Sequence, residues 1–414
     1  MSAMSPVTIP SRFRPNPKKK DAWHLRLLLG KKGLPTPEQI DAFGKLLMQG
    51  DPLDDQLADW AQDVGFMQAR ALLDKALEQG IDAVPEAPEF LQDFFAHIDS
   101  EPAWLDWELL ELGQRAIVRT GIVGTLIMRD MALMGGYGNA AINKPLVFTG
   151  ALADGAARRT SETRAFAVEA TRPGSLRRFG KGFKTTVWVR FLHAILRRRI
   201  RSHADWRDED WGIPINQGDM LATNLAFSVV YLTGMRALGF RYRRREREGI
   251  IHLWRYIGYL MGINEDILVN NERDGLRIIY TLLISQPEAD EDTRTLARSL
   301  MNEPYEVMGT GRFAKVKAEA QLRMHNGISH FFLGSNAYRN LGLPTNRRWT
   351  WVPLAIFPIV TVTETIRQLL PYGNQIFAKL GVAWRDYWIN SLLRNQAAAF
   401  KPVDTLARDK DKAA

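Results

Sequence analysis

The sequence predicts an all-α protein on three observations. Apolar residues recur at spacings of three and four rather than two along nearly the whole chain. The periodic segments are separated by Pro- and Gly-containing breaks of the kind that end helices. The composition, 46% hydrophobic and 24% charged with 12 Trp, 19 Phe and 10 Tyr in 414 residues, supplies a large aromatic core for such helices to bury.

In chain order, residues 1–34 read as a polar, Pro-containing arm. Helices follow over 37–47, with Pro37 at the start, 54–65 and 66–80, and another from Pro88 to His97. Residues 102–119 carry Trp104, Trp107, Leu110 and Leu112 on a helix. Residues 121–134 are apolar and read as buried, breaking at Gly135-Gly136-Tyr137-Gly138; that spacing is not a dinucleotide fingerprint. A helix over 151–170 is stopped by Pro173-Gly174, and the next covers 183–201. After the loop at 211–214, either Asn216 or Asp219 caps a helix reaching Gly239. Helices over 246–262, 271–284, 292–301, 312–333, 353–370 and 375–395 complete the set, with a turn at 344–348. The expected organisation is the arm, one helical domain over 35–400, and a charged tail over 401–414.

The absence of cysteine excludes disulfides, thiol nucleophiles, thiolate-held iron–sulfur clusters, thiolate haem and covalently attached haem. Any metal or haem has only His or oxygen ligands available. The formal charge is +9, but the basic run at 197–201 closes a helix, where cations suit the dipole. Arg243, Arg244 and Arg245 mix with Glu246 and Glu248 as on a solvated face, so no nucleic-acid partner is expected. No secretion signal is read at the N-terminus, which suggests a cytoplasmic protein. The apolar stretch 349–362 is interrupted by Pro353 and Pro358 and is shorter than the roughly 20 residues of a span. It reads as a buried helix or a peripheral membrane contact.

The chemistry centres on residues 183–201. His193 lies among Val189, Leu192, Ile195 and Leu196, and its face is expected to be buried. Arg190 and Arg197 bracket it at i−3 and i+4. On spacing alone a hydrogen-bonded core histidine is the better reading. Buried arginines nevertheless need anions, and the propionates of a haem would supply two. Upstream, Arg159 and Thr163 are four apart and share a face with Phe166 and Ala170, either as a polar pair facing a ligand or as a solvated turn. The other histidines show no Glu-x-x-His or His-Glu-x-x-His pairing, and no nucleophile elbow or Walker loop occurs. His325 and His330 are five apart and read as ordinary surface or core histidines.

Several segments together resemble one family. These are Arg159-x-x-x-Thr163, Arg172-Pro173-Gly174-Ser175 and Val189-Arg190-x-x-His193-Ala194-x-x-Arg197. Then follow Trp211-Gly212-x-Pro214-Ile215-Asn216-Gln217-x-Asp219, Thr223 with Phe227-Ser228, and Trp254-Arg255-Tyr256-x-Gly258-x-x-x-Gly262. Their order, over roughly residues 100–300, is similar to that of the latex-clearing proteins or rubber oxygenases, a family that includes fungal membrane-bound oxygenases of mycophenolic acid biosynthesis. The resemblance implies a globin-like helical core with peripheral helices, holding haem b. It implies His193 as proximal iron ligand, Arg190, Arg197 and Thr223 around the cofactor, and Arg159 and Thr163 over the distal face. The implied activity is dioxygen-dependent oxidation or C=C cleavage of a hydrophobic, isoprenoid-like small molecule; the alternative is a haem- or ligand-binding sensor on the same fold. Where rubber oxygenases carry a distal lysine this chain has Glu162, which suits a base for an allylic proton.

Overall fold

The computed structural model describes residues 8–18, 22–150, 156–308 and 311–392; the expected tail over 401–414 lies outside them. Helices account for the architecture, and no strand occurs among the described residues. Helix starts follow local chemistry. Thr36 and Gln39 form a reciprocal capping box ahead of Pro37–Leu46. Asp51 caps Pro52–Val64, and Asp106 caps Trp107–Val118. Of the two candidate caps after the 211–214 loop it is Asn216 that acts, its side chain accepting from the Asp219 N–H at 2.9 Å.

The centre is a pair of packed helices, Trp107–Val118 and Arg244–Leu260. They approach so closely that a Cβ on Gly113 would lie 2.1 Å from the Gly249 carbonyl oxygen. Around them the main core gathers Phe94, Phe95, Phe183, Phe191, Tyr231 and Trp254. A second core, with Leu296, Leu300, Tyr338 and Leu341, forms where Glu291–Val307 meets Ala314–Asn340.

Four features depart from the sequence reading. The supposed arm is partly structural: Trp23–Leu29 is a helix whose Leu25 and Leu29 enter the main core. Arg12 is buried and pairs with Asp219 at 2.7 Å. A helix over Ala140–Phe148, with Pro145 inside it, was not among the expected elements. The apolar stretch near 349–362 is neither short nor buried. It belongs to Arg347–Leu369, long and apolar enough by length and composition to cross a membrane, with only 17% of its apolar window buried. Leu354, Ile359, Val362 and Leu369 stand exposed on it.

Candidate active site

A cavity of about 1220 Å³ opens between the two cores and is lined by residues of both, among them Phe166 and Leu341. That exceeds the ~300–1,000 Å³ of ordinary ligand pockets. The helix Lys181–Arg201 presents Val189, Leu192, His193 and Leu196 to it, one continuous stripe at helical spacing. The helix Ala156–Ala170 packs beside it and contributes Thr160, Glu162, Thr163 and Phe166 to the same cavity. The structure therefore brings His193, Glu162 and Thr163 to one space. Thr223 lines it too, its hydroxyl donating to the Asp219 carbonyl at 2.8 Å. Arg159 lies on the same helix as Thr163, but its side chain is outside the described residues.

Arg190 and Arg197 do not join this group. Both are buried, and neither lines the cavity. Their direction, roughly 100° round the helix from the middle of the stripe, turns them toward Pro52–Val64. There Arg190 makes a two-pronged ion pair with Asp51 at 2.7 and 2.9 Å, and Arg197 pairs with Asp55. The anions that the sequence reading sought in a cofactor are supplied by the chain itself. Beside these pairs Asp54 is fully buried with both carboxyl oxygens unpartnered, and burial, then Asp51, pushes it up to about 8.

The remaining motif residues hold backbone together beneath the cavity. Gln217 donates to the carbonyls of Gly50 at 2.9 Å and Gly262 at 2.8 Å, and accepts the Asn264 N–H. Gly262 has φ +81°, and a Cβ there would lie 1.9 Å from Asp51 Oδ2. Arg172 pairs with Asp386 and Glu169, tying the turn between the Glu162 and His193 helices to Gly373–Leu392. Trp254 stacks on Phe227 at 4.7 Å, and both line the cavity.

Three features of the site had no signal in the sequence. Two single-turn π-helices, Met128–Leu133 and Ala226–Val230, pack on each other and both face the cavity; such turns are rare and concentrate at functional sites. At one wall Glu303 accepts from Arg164 at 2.6 Å, Arg129 at 2.8 Å and Thr160 at 2.9 Å. Burial would raise Glu303, but Arg164 and Arg129 outweigh it and hold it at about 2. Arg129 also pairs with Asp130 at 2.6 Å, which meets His325 at 2.7 Å; His325 is a paired core histidine. Finally, Arg385 is buried and lines the cavity.

No group of three His, Asp or Glu side chains able to hold a bare metal ion occurs among the described residues. A metal here would arrive with most of its own ligands and need one from the protein, which fits a haem taking a single histidine. The cavity volume, the apolar stripe around His193 and the lack of any thiolate agree with that fit.

No curated protein matches the chain. Among solved structures, that of latex clearing protein in its closed state aligns with a TM-score of 0.59 at 17% identity, covering 87% of this chain and 95% of that one. At that identity the likeness speaks for the fold alone, and it is the all-α fold expected. Residues 122–363, more than half of the chain, match the model of the ER-bound oxygenase mpaB/B′ and rubber oxygenase catalytic domain. The match takes in both π-turns, the Glu162 and His193 helices and the wall around Glu303, so this chain belongs to the family of mpaB-type and rubber oxygenases.

Proposed function

We propose that the protein is a haem b-dependent oxygenase that uses dioxygen to oxidise or cleave a C=C bond in a hydrophobic, isoprenoid-like small molecule. The observation that carries this reading is His193 on the wall of a large apolar cavity, facing the same space as Glu162 and Thr163. The haem, held by His193, would supply the redox chemistry that the side chains lack. Thr163 orients the oxidant by hydrogen bonding, and Arg159, on the same helix, is proposed to share that task. Glu162, which lines the same cavity, takes an allylic proton from substrate in this proposal. Thr223 borders the cofactor. Arg190 and Arg197 act at one remove, as positioning residues that fix the His193 helix through Asp51 and Asp55. The apolar walls exclude water and select an apolar substrate.

The test is an absorption spectrum of protein produced with added haem. The expected result is a Soret band that His193→Ala abolishes or shifts. A spectrum without such a band, or one indifferent to His193→Ala, overturns the reading. Exposed Arg347 and Arg348 at the start of the apolar helix further support peripheral contact with an anionic bilayer, through which an apolar substrate would reach the cavity.

A further inference from the structure

Four arginines line the cavity: Arg70, Arg129, Arg164 and Arg385. The first three have carboxylate partners, Asp74, Asp130 with Glu303, and Glu303. Arg385 has none. It is 7% exposed, and Nη1 donates to the Thr171 hydroxyl at 2.9 Å while Nε is buried without a partner. The neighbouring carboxylate, Asp386, is already taken by Arg172. Other groups acting on Arg385 are the Tyr231 and Tyr242 phenols, which carry no charge at neutral pH, and Arg172, which repels it. Burial, followed by Arg172, pulls the guanidinium below its ordinary value. A buried arginine cannot shed its proton at neutral pH and calls for an anion, which no described residue supplies. Thr171 gives its own proton to the Ala167 carbonyl at 2.6 Å, so its oxygen is fixed as the acceptor that aims the guanidinium.

We infer that Arg385 and Thr171 form a carboxylate-binding subsite in the cavity wall, and that the substrate is an amphiphile: an apolar, isoprenoid-like tail ending in an acid. This rests on the oxygenase reading for the tail, whereas the acid end follows from Arg385 alone. Arg385 lies beyond residues 122–363 that match the family model. The subsite joins Thr171, inside that match, to Arg385 on Gly373–Leu392, and fixes which carbons of a bound chain lie near His193.

The experiment compares farnesoic acid with farnesol, the same tail with and without the carboxylate, by calorimetric titration of the full chain at neutral pH. The acid is expected to bind about tenfold or more tighter, as a charge-assisted pair with a desolvated guanidinium requires. Arg385→Met removes that preference and leaves farnesol unchanged, while Arg385→Lys keeps part of it. Equal binding of acid and alcohol to the unsubstituted protein overturns the inference, and needs no variant to fold. If Arg385→Met instead lowers the Soret absorbance while the acid preference persists, the anion belongs to the prosthetic group and the substrate assignment fails. An acid preference in protein that takes up no haem supports the subsite while sinking the oxygenase reading.

Discussion

Arg190 shows what a buried charge decides at the scale of one residue. It is 2% exposed, paired twice with Asp51 and set over the Phe94 ring at 5.0 Å. Arg190→Met leaves the Asp51 carboxylate buried without its cation, so a loss of about 3–5 kcal/mol of stability is expected in denaturant unfolding. Haem uptake by the fraction that remains folded is expected to persist; its abolition in well-folded protein would mean that Arg190 touches the cofactor after all. Asp54, in the same cluster, gives a pH signature. Its native pKa of about 8 stands above the unfolded value near 4. The native state therefore holds a proton that the unfolded state releases between those values. The associated stability is full below about pH 4 and is lost as pH rises through about 8, at up to ~1.4 kcal/mol per unit. Asp54→Asn removes the titration. Its unfolding free energy should be flatter than the parent's between pH 5 and 8, with the gain largest at pH 8; identical slopes would refute the assignment. The apolar stripe around His193 was legible in the sequence because its members are local, whereas the ligand role was implied only by the family resemblance. The partners of Arg190 and Arg197 were not, because they lie 139 and 142 positions away.

At the scale of elements, close helix contact and helix distortion shape the site. Trp107–Val118 and Arg244–Leu260 meet at Gly113 and Gly249, where each would drive a Cβ into the other's backbone. Gly113→Ala would gain helix propensity in isolation but must push the pair apart here. A net loss of about 1–3 kcal/mol is expected, read as a lowered melting temperature; an unchanged or raised value would show that the two helices can separate without cost. Local signals made some helix starts readable, Pro37 at one and Asn216 as a candidate cap at another. The π-turns were not readable, because one extra residue in a turn leaves the apolar spacing of 121–134 and 217–237 nearly unaltered. Yet they set which side chains of those segments, Met131 and Phe227 among them, face the cavity.

For the whole molecule, the face of Arg347–Leu369 is the apolar surface that the described residues leave exposed. The full chain is expected to co-sediment with vesicles containing anionic lipid, and Ile359→Ser with Val362→Ser to weaken this without disturbing the haem spectrum. Equal sedimentation of parent and double variant would remove that helix as the contact. By itself the sequence determined the helical class, most helix limits and the exclusion of thiol chemistry. These follow from short-range periodicity and composition, which a chain displays without folding. Only the tertiary structure decided that Arg190 and Arg197 are satisfied by Asp51 and Asp55, that the 349–362 stretch is exposed, and that Arg385 faces the cavity with no carboxylate partner among the described residues. The physical reason is common to all three: whether a charge is paired or an apolar face covered depends on which distant segment packs against it, and local spacing carries no record of that.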